Sequence, residues 1–440
     1  MAIDYIDMTA ITDTLKLVYG EGLTNQFADE KTTYNLFPKS DRQPKGLGYE
    51  FGIRYARSQS VGARHESTNL PDPLAGKYDK GRIIPKYVYG SIRLTGPAIY
   101  AAKGDVAAFV DSLSDSVDDI YKSIVVDLNR MSCSDGFGKL GTLSAASDAV
   151  TTSGSTTWTV TMDNALSVSR CIAGMIVDFY DGADIDQSSV ASRIASVNPS
   201  GKSVEMEPND GTYKANHPIV AAQSYTITTD AVPDAAVMVK IGAREASHAT
   251  TDTPAEVMGL EGIYDDGTLL ATFENITVAD YPEWKANVLD NSSVDRELSL
   301  DLMLQALDLS RTRSGSAVQC IRMGLGQRRK YANLLIPDVR FAPLELTGGY
   351  ETLSFAGGDG SVKMVIDPAL PPGKIFFEPN GVIKKYELAS LGWGNIDPGM
   401  HQRAGYDEFD RFLRIYTNIG AEERSCLTLL TDLVEPSLYT

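Results

Sequence analysis

Any chemistry in this sequence would have to come from a few clusters. Gly136-Phe137-Gly138-Lys139-Leu140-Gly141 spells G-x-G-x-x-G, the run whose glycines let a backbone wrap a pyrophosphate. That use needs a strand before the run and a helix after it; here the run follows a helical pattern, so it reads as a turn. Gly324-Leu325-Gly326-Gln327-Arg328-Arg329-Lys330 has glycines and bases but not the G-x-x-x-x-G-K-[ST] spacing, which leaves a basic, partner-facing helix start as its candidate role. Asp178, Asp181, Asp184 and Asp186 stand close enough to share a hard cation, whose ligands are oxygens. They lack the turn glycine and closing bidentate Glu of a calcium loop, so a solvated acidic loop is favoured. His65, His217, His248 and His401 form no His-x-His or HExxH pattern, and no serine sits in G-x-S-x-G. The sequence therefore assigns no catalytic, cofactor-binding or metal-ligating residue, and a non-enzyme is expected.

Composition narrows the class further. A chain of 440 residues with 43% hydrophobic content can bury a large core, and a formal charge of -18 argues against a surface built to neutralise phosphates. Cys133, Cys171, Cys320 and Cys426 are far apart and read as buried thiols in a reducing compartment, without a disulfide framework. The start lacks a basic region followed by an apolar run, and no stretch approaches the roughly 18 apolar residues of a membrane span. Neither secretion by a cleaved signal nor a membrane-spanning role is expected.

The element that organises the rest runs from Asp105 to Gly136. Val106, Phe109, Leu113, Val117, Ile120, Ile124, Leu128 and Met131 recur in steps of three and four, the inner face of a helix roughly 45 Å long. Asp105 is placed to cap it, acids crowd its first half, and Lys122 and Arg130 lie nearer its end, in the sense of the helix dipole.

Before it, residues 1–44 read as an arm with a short helical pattern around Ile11, Leu15, Leu17 and Val18. Then come two alternating runs, Tyr49–Tyr55 and Lys86–Leu94, read as an extended ribbon. A two-stranded ribbon is not stable alone in water and needs a surface to rest on. Residues 51–95 carry eight bases against three acids in an acidic chain. After the long helix, short strands at Thr156–Met162, Met175–Tyr180, Ser192–Val197, Ser203–Glu207, Tyr225–Thr228 and Val237–Ile241 suggest an inserted all-β module, such as a small barrel with a water-exposed outer face. Beyond Thr268 the chain becomes α+β: a helix capped by Ser293, a strand at Ala317–Met323, a helix at Gln327–Leu335, strands at Val362–Ile366 and Lys374–Phe377. A closing hairpin pairs Arg411–Thr417 with Cys426–Leu430 across a polar turn.

This order of arm, ribbon, spine helix, α+β body and closing hairpin resembles the major capsid proteins of tailed bacteriophages, the Hong Kong phage-type fold. Local stretches are similar too: Ser60-Val61-Gly62-Ala63-Arg64-His65-Glu66 with Leu70-Pro71, Leu128-Asn129-Arg130 before Gly136-Phe137-Gly138, and Ile366-Asp367-Pro368-Ala369-Leu370-Pro371-Pro372-Gly373. The resemblance implies an α+β phage capsid fold divided as arm 1–44, extended β-ribbon loop 45–98, spine helix of the peripheral domain 99–137, inserted β-rich domain 138–265, and axial domain with closing peripheral hairpin 266–440. It implies a homo-oligomer of pentamers and hexamers forming an icosahedral shell around double-stranded DNA without sequence-specific binding, located in the virion and assembled in the host cytoplasm. No cofactor is expected. Because the chain reaches its ribbon within about 45 residues, a separate scaffolding protein is expected, with a portal and, as a candidate, a decoration protein. Alternatives are the shell of a cellular nanocompartment and a β-rich tail or receptor-binding protein. Residues 105–136 hold seven acids and two bases, so the basic ribbon of one subunit is expected to rest near the acidic spine of the next, and Arg54→Glu with Arg57→Glu should impair assembly.

Overall fold

The computed structural model describes residues 32–42, 44, 46–66, 68–95, 97, 112–144, 158–181, 184–185, 192–208, 237–243, 254–335, 354–356, 361–393, 401–402 and 405–436. The arm before residue 32, the helix start from Asp105 to Asp111, the strand expected at Tyr225–Thr228, and Asp186, His217 and His248 lie outside the described residues. The chain divides into two compact units, one containing 89–124 and 393–413, the other 30–88, 125–392 and 414–440.

A short helix α1 (Thr32–Leu36) precedes the ribbon strands β1 (Tyr49–Ala56) and β2 (Lys77–Ile83). They pair antiparallel from Tyr49↔Ile83 to Arg54↔Tyr78, with a register shift before Ala56↔Lys77. The expected partner of the first run was Lys86–Leu94. That stretch is a strand, β3 (Lys86–Thr95), but it pairs elsewhere, with a strand near the end of the chain. The polar sequence Lys-Tyr-Asp-Lys-Gly-Arg-Ile hid β2, whose inward positions are Gly81 and Ile83, opposite Phe51 and Tyr49. Pro85, which has no N–H for a ladder, separates β2 from β3.

The long helix is α2 (Ser112–Cys133), and Ile124, Leu128 and Met131 are buried along the expected stripe. Gly90 of β3 lies so close to Ile120 and Ile124 that a Cβ there would collide with Ile124. After α2 come β4 (Lys139–Thr142), β5 (Trp158–Thr161), α3 (Ala165–Ser169), β6 (Ile176–Asp181), β7 (Asp184–Ile185), β8 (Ser192–Asn198), β9 (Ser203–Pro208) and β10 (Val237–Lys240). The strands form one sheet in the order β4-β10-β6-β8-β9-β5, with β7 on β6. An antiparallel bridge Leu143↔Met162, flanked by Ser144 N to Thr161 O and Asp163 N to Thr142 O, both 3.1 Å, joins the two ends and closes the ring. Leu140, Met162, Val177, Phe179, Ile194, Met206 and Met238 fill it. Closure removes the exposed strand edges that would otherwise invite pairing with other chains.

The α+β body adds α4 (Leu260–Ile263), β11 (Thr272–Phe273), β12 (Ile276–Thr277), β13 (Asn287–Leu289), α5 (Leu300–Ser314), β14 (Cys320–Met323), α6 (Leu325–Leu335), β15 (Ser354–Ala356), β16 (Ser361–Ile366) and β17 (Ile375–Glu378). The cap of α5 is Ser299, whose Oγ accepts from Leu302 N at 3.2 Å, rather than Ser293. Ser293 has a positive φ of 63° and donates its N–H to Asp432, so it belongs to a loop. The chain ends through β18 (Ile383–Trp393), β19 (His401–Gln402), β20 (Glu408–Ala421) and β21 (Thr428–Leu430).

The expected closing hairpin does not form. β20 pairs with β18, β19 and β3, whereas β21 lies in the mixed body sheet β13-β21-β17-β14-β16-β15. All three residues of β21 are buried, the pattern of an interior strand rather than of an alternating hairpin arm. The intervening turn faces solvent only in part: Glu423 is exposed, but Arg424 within it is 0% exposed.

Candidate functional site

Three places concentrate the side chains that matter: the foot of the long helix, the root of the ribbon, and the ribbon tip. At the foot, Arg130 Nε donates to Asp127 at 2.8 Å, its Nη2 donates to Glu256, and Lys240 Nζ of β10 donates to the other Asp127 oxygen at 2.6 Å. Burial alone would raise the Asp127 carboxyl, but Arg130 and Lys240 outweigh it and hold it at about 2. Glu256, buried and next to Asp127, is instead pushed up. A second pair, Lys374 to Glu261 at 2.6 Å, and Arg170 Nη2 to Ala369 O at 2.9 Å complete a polar seam between the closed sheet, the helix foot and the body. Glycines bring these backbones together: a Cβ on Gly259 would strike the carbonyls of Met131 and Ser134. The segment around α1 closes the foot from another side, with Tyr34 N donating to Asn129 and Thr33 N to Asp367, both at 2.9 Å, while Asn129 donates to Asp367 at 3.0 Å.

The ribbon root is fastened as firmly. Arg82 N donates to Glu274 O at 2.7 Å, and Asn418 Nδ2 donates to Ile84 O at 2.7 Å while its Oδ1 accepts from Met258 N at 2.9 Å. Farther out, Tyr281 donates its OH to Asp79 and meets Tyr55 edge-on at 4.8 Å. Beneath the root, Arg424 is stacked over Phe273 at 4.2 Å and Trp284 at 4.8 Å and donates to the Ile263 and Asp265 carbonyls. Burial lowers its pKa to about 10 and raises the neighbouring Glu274 carboxyl to about 8. The tip, by contrast, carries Arg57, Arg64 and Lys77 together with Val61, Leu70 and Leu74, all exposed.

The stretches singled out for chemistry have structural roles. Gly136 and Gly138 adopt φ of 86° and 73° in a turn packed against Pro254 and Ala243. In the Gly324–Lys330 run, Arg329 Nη2 donates to Pro436 O, Lys330 pairs with Glu297, and Gln327 is buried, so most of the expected basic face is directed inward or neutralised. Asp178 opposes Val239 in the closed sheet, and Asp181 opposes Asp184 across β6 and β7. Among the described residues no three His, Cys, Asp or Glu side chains are placed to hold a metal ion. Cys133, Cys171 and Cys426 are buried, Cys320 is half-buried, and desolvation pushes all four thiols up to about 12. No described helix is long and apolar enough to cross a membrane.

Compared with known proteins, the sequence matches no family model and no curated protein. The structure does find counterparts. The capsid asymmetric unit of cyanophage A-1(L) aligns over 97% of this chain and 99% of its own, at 11% identity and a TM-score of 0.57. The capsid of the native GTA particle aligns over 98% and 100%, at 7% identity and a TM-score of 0.53. The chain has the tailed-phage capsid fold. A chain of the holo-SrpI encapsulin complex from Synechococcus elongatus PCC 7942 also aligns, at 6% identity and a TM-score of 0.42.

Within this capsid fold, two of the acids expected to form a bed along the spine helix are occupied inside the subunit. Asp127 is spent on Arg130 and Lys240, and Asp135 is buried with its carboxylate accepting from Phe137 N at 2.9 Å. Asp118 and Asp119 remain exposed. Sequence reasoning missed Glu256, Glu274, Asn418 and Arg424. The available signal was negative: Arg424 lies two residues before Cys426-Leu427-Thr428-Leu429-Leu430, and a run that apolar leaves no room for a wide exposed turn beside it.

Proposed function

We propose that this chain is a major capsid subunit that assembles through pentamers and hexamers into an icosahedral shell around double-stranded DNA. The supporting observation is coverage: two capsid chains align with it over 97% and 98% of its length. In this reading residues 1–44 are the arm, 45–98 the extended loop, 99–137 the spine, 138–265 an inserted β domain, and 266–440 the axial domain with the last peripheral strands. A ribbon fastened at its root and bare at its tip suits a limb that reaches a neighbouring subunit. An acidic chain suits a container, since a wall of net charge -18 per subunit does not hold DNA fast. Virion location, a separate scaffolding protein, a portal and a decoration protein belong to the same reading, and it asks no catalysis or cofactor of the chain.

The test is electron microscopy with light scattering on the protein alone and then with a scaffolding protein. Uniform closed shells, or rings of five and six subunits, support the reading. A monomer that never assembles in either condition overturns it and favours a tail or receptor-binding role.

A further inference from the structure

The run Gly324–Lys330, whose glycines and bases suggested a helix start facing a partner, meets an occupant within its own chain. Gly326 lies in the first turn of α6, and a Cβ on it would strike the Glu435 carboxylate. Glycine is a poor helix former, so its place here has a steric reason. The carboxylate is held from two sides, its Oε2 accepting from Gln327 Nε2 at 2.8 Å and from Gly373 N at 2.9 Å. Its Oε1 is buried against Gly326, where the dipole of an 11-residue helix favours negative charge. Gln327, 1% exposed, also donates to Val434 O at 3.1 Å, and Arg329 Nη2 donates to Pro436 O at 3.1 Å. The same segment is stitched to two other parts of the body. Arg296 N donates to Asp432 O at 2.8 Å, Val434 N to Arg296 O at 3.0 Å, and Leu433 N to Gly373 O at 3.2 Å. Gly373, with a φ of 68°, stands so close that a Cβ there would lie 2.7 Å from Leu433 O.

We propose that residues 432–436 are a latch that sets the start of α6, with Glu435 as the positioning residue and Gly326 as its socket. Of this segment only Leu433 belongs to the body core; the rest is held mainly by hydrogen bonds, so it can lift as a local opening while the body sheet stays folded. Latched, the helix start is shut to any other acidic segment. Lifted, Gly326 and Gln327 are uncovered. The basic run thus has a cis occupant whose carboxylate fits a place only glycine leaves open.

Hydrogen exchange of the full-length, unassembled chain reads α6 directly. Glu435→Ala is expected to speed exchange of the α6 amides at least about tenfold, because it removes two hydrogen bonds to a charged group, and Gly326→Ala is expected to do the same by pushing the carboxylate out. The closed sheet of β4 to β10 is expected to keep its wild-type rate. In the double variant the added methyl meets only Pro436 Cδ, 3.1 Å away, and alanine is the better helix former, so Gly326→Ala is expected to cause no further loss once Glu435 is trimmed. That dependence of one substitution on the other is the mark of a latch, since independent weakenings add. If Gly326→Ala alone fails to fold, recovery in the double variant is the same test. Additive losses, wild-type exchange in Glu435→Ala, no recovery in the double variant, or exchange rising equally in the closed sheet overturn the latch. None of these measurements needs a shell, so failure of the latch and failure of the shell reading are told apart.

Discussion

The helix foot and the ribbon tip invert the usual distribution of side chains. At the foot Asp127, Arg130 and Glu256 are all but buried, and at the tip Val61, Leu70 and Leu74 stand in water. Ions are normally left outside and leucines put inside, so each inversion has a cost that something must offset. At the foot the offset is visible, since two bases meet Asp127 and one of them also meets Glu256. At the tip no such offset lies among the described residues. Charge at the foot fastens parts of the chain to one another, and the tip leaves apolar surface bare.

The largest expected effect comes from breaking the foot. Arg130→Met removes the one group shared by Asp127 and Glu256 and leaves two buried carboxylates together, a change expected to cost about 3–5 kcal/mol in denaturant unfolding. The cost is expected to shrink in acid. Asp127, held at about 2, contributes stability that is present above its unfolded value and lost as pH falls through about 2, while Glu256, pushed up, takes its proton earlier. A loss independent of pH would break the assignment of charge to the foot.

Next in size is the ribbon root, where the sign reverses. Burial raises Glu274 to about 8, so the folded state disfavours its charge and stability is lost as pH rises from the unfolded carboxyl value through about 8. Glu274→Gln keeps an acceptor for Ala421 N, 3.1 Å away in wild type, and is expected to gain at least ~1.4 kcal/mol over wild type at pH 9 but nothing near pH 4. Unfolding curves across that range decide it. Lys240→Met should follow, at about 1 kcal/mol, because its ammonium is partly solvated, and the loss should largely vanish in an Asp127→Asn background.

What the sequence made legible follows period and breakers. The stripe Ile124, Leu128, Met131, the stop at Gly136 and Gly138, and strands such as Ser203–Glu207 were readable because each repeats or ends on a local rule. Pairing was less readable. The partner of β1 turned out to be the polar β2, because register depends on Gly81 fitting beneath Phe51, and no propensity scale records that fit. Arg424 and Glu274 stayed hidden for a related reason: burial of a charge is decided by Phe273, Trp284 and two carbonyls far off in the chain. Of the limb, sequence gave its charge but not its division into a fastened root and a bare tip.

The smallest effect sharpens the comparison most. Arg82 and Glu50 face each other across β1 and β2 with side chains 38% and 50% exposed, an ion pair like those at the foot but standing in water. Water already solvates both groups, so Glu50→Gln is expected to leave the unfolding free energy close to wild type, with any difference fading as salt is added. Arg130→Met, measured in the same salt series, is expected to keep its penalty, because ions do not reach a buried pair. If the two variants fell together with salt, burial would not be what separates the foot from the ribbon.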